Sequence, residues 1–359
     1  MSVFLEERHL ELRKIAQACG EKLEHVEDPR AIVRALAEAG LLRACVPELR
    51  GRVELRDLVV VRAALAYRSS LADTMFAMQG LGSYPVTLAG SDAQKSKLLP
   101  RVARGEAICA FAITEPEAGS DVSAIATRAR KDGAGFRLDG VKTFISNAGI
   151  ADSYVVFART SDDKHGGLSA FLVEGGAVAV EPIELIAPHP IGTVKLDGAR
   201  GELLGEEGGG FKLAMATLDL FRTSVGAAAA GMAARARDEA IARVKSRKQF
   251  GKALAEFQAT QLAIADMQLD VAASTLLVLS AAHRIDVSGE ASALDAAMAK
   301  LHATEAAQRV IDRAVQLHGG QGVVRGNVVE RLYREIRALR IYEGTSEIQK
   351  LVIARSLLR

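Results

Sequence analysis

The chain has 359 residues, 49% hydrophobic and 25% charged, with a formal net charge of +2. That length supports two or three domains with substantial cores, and the near-neutral balance gives no general case for nucleic acid or an anionic membrane surface. Three cysteines (Cys19, Cys45 and Cys109), odd in number and scattered without metal-ligand spacing, predict a reducing compartment, no disulfide framework and no metal.

The N-terminal stretch Met1–Arg13 carries several charges and no apolar core of signal-peptide length. The longest uncharged runs, Thr223–Ala234 and Val271–His283, fall short of the roughly 20 residues of a membrane helix. A soluble, cytoplasmic chain without membrane insertion is therefore expected. Helical spacing runs from Ser2 to about Gly105. Leu5, His9, Leu12, Ile15 and Ala16 form one stripe, and Ile32, Leu36, Ala39 and Leu42 another. Val46-Pro47 and Gly51 interrupt the pattern before Glu54–Ser69 resumes it. Ala72–Gly90 mixes small residues with Met75, Phe76 and Met78, a composition that suits a pocket lining or close helix packing.

At Ala107 the pattern changes to short strands over Ile108–Ile113, Ile125–Arg130, Phe136–Ser146, Tyr154–Ala158 and Ser169–Val173. Asp132-Gly133, Asp139-Gly140 and Asp197-Gly198 read as turns between strands, in a β segment reaching about Leu204. Gly205–Gly210 leads back to helices at about Phe211–Arg247, Gln258–Val287, Ala291–His318, Val328–Arg340 and Glu347–Leu357. A charged connection, Arg243–Glu256, and the loop Gly319–Asn327 separate them. The expected class is α+β and mostly helical, with an N-terminal helical domain (1–106), a middle antiparallel β domain (107–207) and a C-terminal four-helix-bundle-like domain (208–359). Strands segregated in the middle argue against a doubly wound parallel sheet.

No nucleophile elbow, Walker A or Rossmann fingerprint is present, and no H-x-x-x-H or C-x-x-C pair. Two stretches stand out. Phe111–Asp121 ends a strand at a turn with hydroxyls at Thr114 and Ser120, which suits either an anion or polar heterocycle or an ordinary β-turn. Ile341–Gln349 sets one carboxylate, Glu343, beside Gly344, with Ser346 and Gln349 matching an S-x-x-Q capping box for the last helix. That turn serves equally as a seat for a catalytic base or as a helix-turn-helix corner.

Phe111–Asp121 resembles the first signature of the acyl-CoA dehydrogenases, flavoenzymes that introduce a trans-2 double bond into acyl-CoA thioesters. Val141–Gly149, Arg247–Gly251 with Phe257-Gln258, Gln316–Gly322 and Tyr342–Thr345 are similar to further family motifs, in family order. The resemblance implies FAD as cofactor and Glu343 as the base that takes the substrate α-proton. It implies flavin contacts at Phe111, Ile113, Thr114, Phe144, Ile145 and Ser146, with Thr114 near the pyrimidine edge and Ser146 at N5. Ser120 is expected on the CoA and pyrophosphate side. Arg247, Phe250, Gln258, Gln316, Gly319, Gly320, Thr345 and Glu347 are expected to reach FAD, some across a subunit interface. Asp219 and Arg222 match a family D-x-x-R on the substrate side, and Gly344 is likewise expected to meet substrate; alone the pair reads as a helix-surface ion pair. A homodimer or homotetramer and an electron-transfer flavoprotein partner follow from the same resemblance.

The chain also departs from the family. Phe144 stands where Trp is common, Gly326-Asn327-Val328 replaces an acidic residue and Tyr-Pro, and Pro47–Arg52 lacks paired glycines. Ala177–Leu204 is short. The position where some members carry the base on an earlier helix falls near Phe221, which has no proton to exchange. An acyl-CoA oxidase, a dehydrogenase of carrier-protein-bound acyl groups and a non-catalytic acyl-CoA-binding scaffold share this sequence frame.

Overall fold

The computed structural model describes residues 3–47, 52–133, 135–164, 166–289 and 292–358. In chain order come helices α1 (Glu7–Leu23), α2 (Pro29–Glu38), α3 (Leu55–Arg68), α4 (Ser70–Ala89) and α5 (Asp92–Ala103). Strands β1 (Cys109–Ala112), β2 (Arg128–Asp132), β3 (Gly135–Ser146), β4 (Ser153–Arg159), β5 (Leu168–Glu174), β6 (Ala179–Pro182) and β7 (Ile191–Leu204) follow. Helix α6 (Gly210–Ser246), the hairpin β8 (Lys248–Gln249) and β9 (Lys252–Ala253), then α7 (Gln258–Ser288), α8 (Ala293–His318), α9 (Val328–Leu339) and α10 (Ser346–Leu357) complete it.

Contacts group the chain into two compact units. The first comprises Met1–His25, Glu54–Asp73 and Arg222–Arg359. Here α1 packs on α3, α3 on α7, and α8 on α7, α9 and α10. The Ala/Gly-rich part of α6 permits close approach: a Cβ on Gly231 would sit 2.2 Å from the Ala63 carbonyl oxygen, and one on Gly226 2.9 Å from Val278. Helix α3 takes its cap from α7, since Asp286 accepts the N–H groups of Leu55 and Arg56 at 2.8 and 2.9 Å. The α1 stripe is rotated from the expected one. His9, Ala16, Cys19, Gly20 and Leu23 are buried, whereas Ile15 is 40% exposed.

The second unit comprises Val26–Val53 and Thr74–Phe221. Its sheet runs β1-β4-β2-β3-β7-β5, and β5 also pairs with β4, so the strands close on themselves. Most pairings are antiparallel; β1 runs parallel to β4, and β2 meets β4 in parallel at Arg128↔Arg159. The core lies inside, with Phe136 against Phe171 and Phe111 against Phe157 at centroid distances of 4.9 and 5.0 Å.

Two expected turns are not turns. Asp139-Gly140 and Asp197-Gly198 lie inside β3 and β7, facing one another where the register shifts. Gly198 has φ +60° and donates its N–H to Asp139 at 2.8 Å, so the pair forms a bulge that bends two long strands together. Consequently β6 and the 14-residue β7 went unseen in the sequence. Strand β2 starts at Arg128, because Val122–Ala124 forms a helical turn. The charged connection Arg243–Glu256 contains the end of α6, the β8–β9 hairpin and one 3₁₀ turn. Gly51 and Ala291 lie outside the described residues, as does most of the Pro47–Arg52 loop.

Helix α7 is long and apolar enough to cross a membrane by length and composition alone; in this fold it packs on α3 and α8. All three cysteines are buried and unbridged.

Candidate active site

In the first unit the turn after α9 holds Glu343 at φ +53° and Gly344 at φ +92°, two successive left-handed residues. A side chain at 344 would collide with Gln349, whose Nε2 lies 2.5 Å from the Cβ position. Three side chains pin the two carbonyls. Arg222 Nε donates to the Glu343 oxygen at 3.3 Å, Lys300 Nζ to the Gly344 oxygen at 2.8 Å, and Gln349 Nε2 to both at 3.2 and 3.0 Å. The capping box expected from Ser346 and Gln349 is not formed. Thr345 caps α10, accepting from the Ile348 N–H, while Ser346 donates its hydroxyl to Glu305 at 2.5 Å. Gln349 is thereby free to brace the turn from behind.

Oε2 of Glu343 is buried without a hydrogen-bond partner. Burial pushes this carboxyl above its ordinary range, against the opposing charges of Arg62, Arg222 and Lys300. Arg62 is itself buried and bidentate to Asp73 at 2.9 and 2.8 Å, with a third bond to Ser224 at 2.8 Å. Burial lowers the Lys300 ammonium to about 8, so it stays largely protonated at neutral pH. Sequence reading missed Arg62, Asp73 and Lys300, and gave Gln349 to a cap rather than to the turn. The first three show only as charges in apolar helical runs, which was the available signal.

In the second unit the β1 turn is built on a buried ion pair. Lys142 Nζ reaches Glu115 at 2.7 Å and the Ile113 carbonyl at 3.1 Å, and Glu115 accepts the N–H groups of Ala126 and Thr127 at 2.7 and 3.0 Å. Burial works against both charges, bringing Lys142 down to about 8, yet Lys142 and these donors hold Glu115 below its ordinary range. The pair is ionised at neutral pH. Thr143 N–H donates to the Thr114 carbonyl at 2.9 Å, tying the turn to β3.

At the end of β3, Phe144 sits at φ +54° and is 59% exposed. Phe111, Ile113 and Ile145 are buried, with Phe111 and Ile145 paired in the sheet and the Ile113 carbonyl taken by Lys142, while Thr114 and Ser146 are half-buried and Ser120 is exposed. An uncovered aromatic with hydroxyls close by in sequence fits a flat, polar-edged ring such as the isoalloxazine of FAD. Ser146 Oγ also meets His189 Nε2 at 2.7 Å, a partner that sequence reading missed.

The remaining expected cofactor residues lie in the first unit. Phe250, at φ +52°, tips the β8–β9 hairpin and is 93% exposed; Arg247, Gln258, Gln316, Gly319, Gly320 and Glu347 are exposed. A pocket of about 520 Å³ lies among Arg243, Arg247, His318 and Gln321. Arg222 is buried on the Glu343 turn; Asp219 is half-buried in the other unit. One His–carboxylate group, His9 with Glu54 and Asp57, is taken up by Arg8, which donates to both carboxylates.

Residues 8–106, 110–197 and 208–358 match the N-terminal, middle and C-terminal domains of acyl-CoA dehydrogenase, respectively. The chain is 37% identical to the 3-(aryl)acrylate reductase of Clostridium sporogenes, over 99% of this chain and 100% of that one. It is 35% identical to subunit CarC of the caffeyl-CoA reductase-Etf complex of Acetobacterium woodii, over 99% and 100%. Its fold superposes on butyryl-CoA dehydrogenase from Megasphaera elsdenii with a TM-score of 0.93, 31% identity and 99% coverage of both chains. With all three domains matched in order, the chain belongs to the acyl-CoA dehydrogenase family, FAD-dependent oxidoreductases that act on CoA thioesters.

Proposed function

We propose that this chain oxidises the Cα–Cβ bond of an acyl-CoA thioester to the trans-2-enoyl thioester, with Glu343 as the base. Bound FAD supplies the hydride acceptor, at N5. The observation that carries the reading is the Glu343 carboxylate, its Oε2 buried and unpartnered, on a turn whose carbonyls three side chains hold. A base in that state accepts a proton readily, and an acyl chain covering it excludes water and strengthens this tendency. The backbone N–H of Glu343 has the task of polarising the thioester carbonyl.

Thr114 and Ser146 take the pyrimidine edge and N5 of the flavin, and Phe144 covers the ring. Phe111, Ile113 and Ile145 contribute backbone. Ser120, Asp219, Arg222 and Gly344 serve the substrate side, and Thr345 and Glu347 serve FAD. Arg247, Phe250, Gln258, Gln316, Gly319 and Gly320 reach the FAD of a second copy in a homodimer or homotetramer. Support for assembly comes from the near-complete exposure of Phe250 and from Leu262, Leu269 and Leu276, exposed at seven-residue spacing on α7. The domains are assigned to 1–106, 107–207 and 208–359, the compartment to the cytoplasm and the electron partner to an electron-transfer flavoprotein, as the name of the Acetobacterium complex supports.

The relatives named as reductases favour a second reading, in which the same groups work in reverse on an enoyl thioester. Anaerobic mixing separates the directions. Acyl-CoA bleaches the oxidised flavin in the first, and enoyl-CoA restores the colour of the reduced flavin in the second. A screen of straight, branched and aromatic acyl-CoAs should identify a substrate that bleaches wild type and leaves the FAD-loaded Glu343→Gln variant yellow. Equal bleaching by both would remove Glu343 from the role.

A further inference from the structure

The short connection before β7 contains Pro188-His189-Pro190. Pro188 has a fixed φ, and a residue that precedes proline is confined to extended backbone, so His189 hangs from a stiff segment. That segment is tied to the end of β3. Asn147 N–H donates to the Pro190 carbonyl at 2.7 Å, and Ser146 pairs in register with Ile191. The result is the 2.7 Å contact between His189 Nε2 and Ser146 Oγ. Burial lowers the imidazole to about 4, so it is neutral through the physiological range. A neutral imidazole meets a hydroxyl as donor or as acceptor, according to its tautomer.

We propose that His189 is a positioning residue that sets the direction of the Ser146 hydroxyl toward flavin N5; this rests on the reading that Ser146 faces N5. Oxidised N5 accepts a hydrogen bond, so Ser146 donates to it and takes Nε2–H on its own oxygen. Reduced N5 carries hydrogen and donates, so the Ser146 proton turns to an unprotonated Nε2. Between the two states one imidazole proton leaves Nε2 and one arrives at Nδ1, exchanged with water, and no net charge appears. A buried hydroxyl proton without an acceptor costs more than a lone pair without a donor. Loss of His189 therefore disfavours reduced flavin more than oxidised.

The test uses FAD-loaded enzyme and reads the flavin midpoint potential, the visible spectrum and the FAD dissociation constant. His189→Leu and His189→Asn, whose amide is too short to reach, should shift the potential negative and weaken FAD binding about fivefold, the equivalent of one hydrogen bond. His189→Gln, whose amide reaches the Nε2 position, should restore most of both. The Ser146→Ala/His189→Asn double variant should match Ser146→Ala. If Ser146→Ala shifts the potential while His189→Asn leaves it at the wild-type value, or if the two shifts add, His189 has no hold on Ser146. If Ser146→Ala changes neither spectrum nor potential, the placement of Ser146 at N5 fails, and the His189 proposal with it.

Discussion

The Glu343 turn and the end of β3 each hold a non-glycine residue in left-handed backbone, but the strain is offset differently. Around Glu343 the compensation is internal, since Arg222, Lys300 and Gln349 secure both carbonyls of the turn and Thr345 caps the helix that follows. At β3 the same backbone state leaves Phe144 in the open, and the bonds fall on its neighbours, from Thr143 N–H to the Thr114 carbonyl and from Asn147 N–H to the Pro190 carbonyl. Strain of this kind costs of order 1–3 kcal/mol per residue and persists where something else over-determines it. The Glu343 turn is thus braced by side chains from other helices, whereas Phe144 presents an open aromatic surface.

Four substitutions test that contrast, from the largest expected effect to the smallest. Glu343→Gln should slow anaerobic flavin bleaching by about 10²–10⁴ in stopped-flow measurements, with FAD retained. The same variant should melt higher at neutral pH. A carboxyl whose folded pKa lies above its unfolded value is costly to ionise above the folded pKa and neutral in effect below the unfolded one. The gain should therefore shrink as pH falls toward 4.5; a gain that grows with acid would reverse the assignment. Lys142→Met strands Glu115 in the sheet and should cost about 3–5 kcal/mol by urea denaturation, together with FAD binding. A loss confined to stability, with FAD affinity intact, would detach the ion pair from the Thr114 turn.

Gly344→Ala meets both the φ of +92° and the Gln349 contact, and should cost about 1–3 kcal/mol and lower the bleaching rate. Smallest is Phe144→Gly. It removes the strain and the exposed ring together, so apo stability should stay within about 1 kcal/mol of wild type while FAD binds roughly three- to tenfold more weakly. A large drop in apo melting temperature would show that the protein, not its ligand, depends on that ring.

Much of this was legible in the sequence because period and punctuation agree over long stretches. Helices α8 and α9 each carry a clear apolar stripe, the strands are segregated from the helices along the chain, and the motifs that resemble the family recur in order. What escaped has local causes. Asp139-Gly140 and Asp197-Gly198 carry the turn signature, but a bulge uses the same left-handed glycine, and only the pairing of β3 with β7 tells the two apart. The capping box at Ser346 and Gln349 fitted the pattern, yet each side chain found a different partner in the fold, at Glu305 and at the Glu343 and Gly344 carbonyls. Arg62, Asp73 and Lys300 were hidden because a buried charge looks like a surface charge until its neighbours are known. His189 was missed because its partner lies 43 positions away in the chain.

The buried cysteines have a consequence for measuring this molecule in motion. Cys19 belongs to the first unit, and Cys45 and Cys109 to the second. Burial raises the Cys19 thiol and brings Cys109 up to about 12, so native thiolate is scarce and alkylation must wait for local opening. The wild-type chain thus carries an intrinsic probe in each unit. Pulsed alkylation read by mass spectrometry, with and without FAD, reports which of them breathes first and which the cofactor quiets.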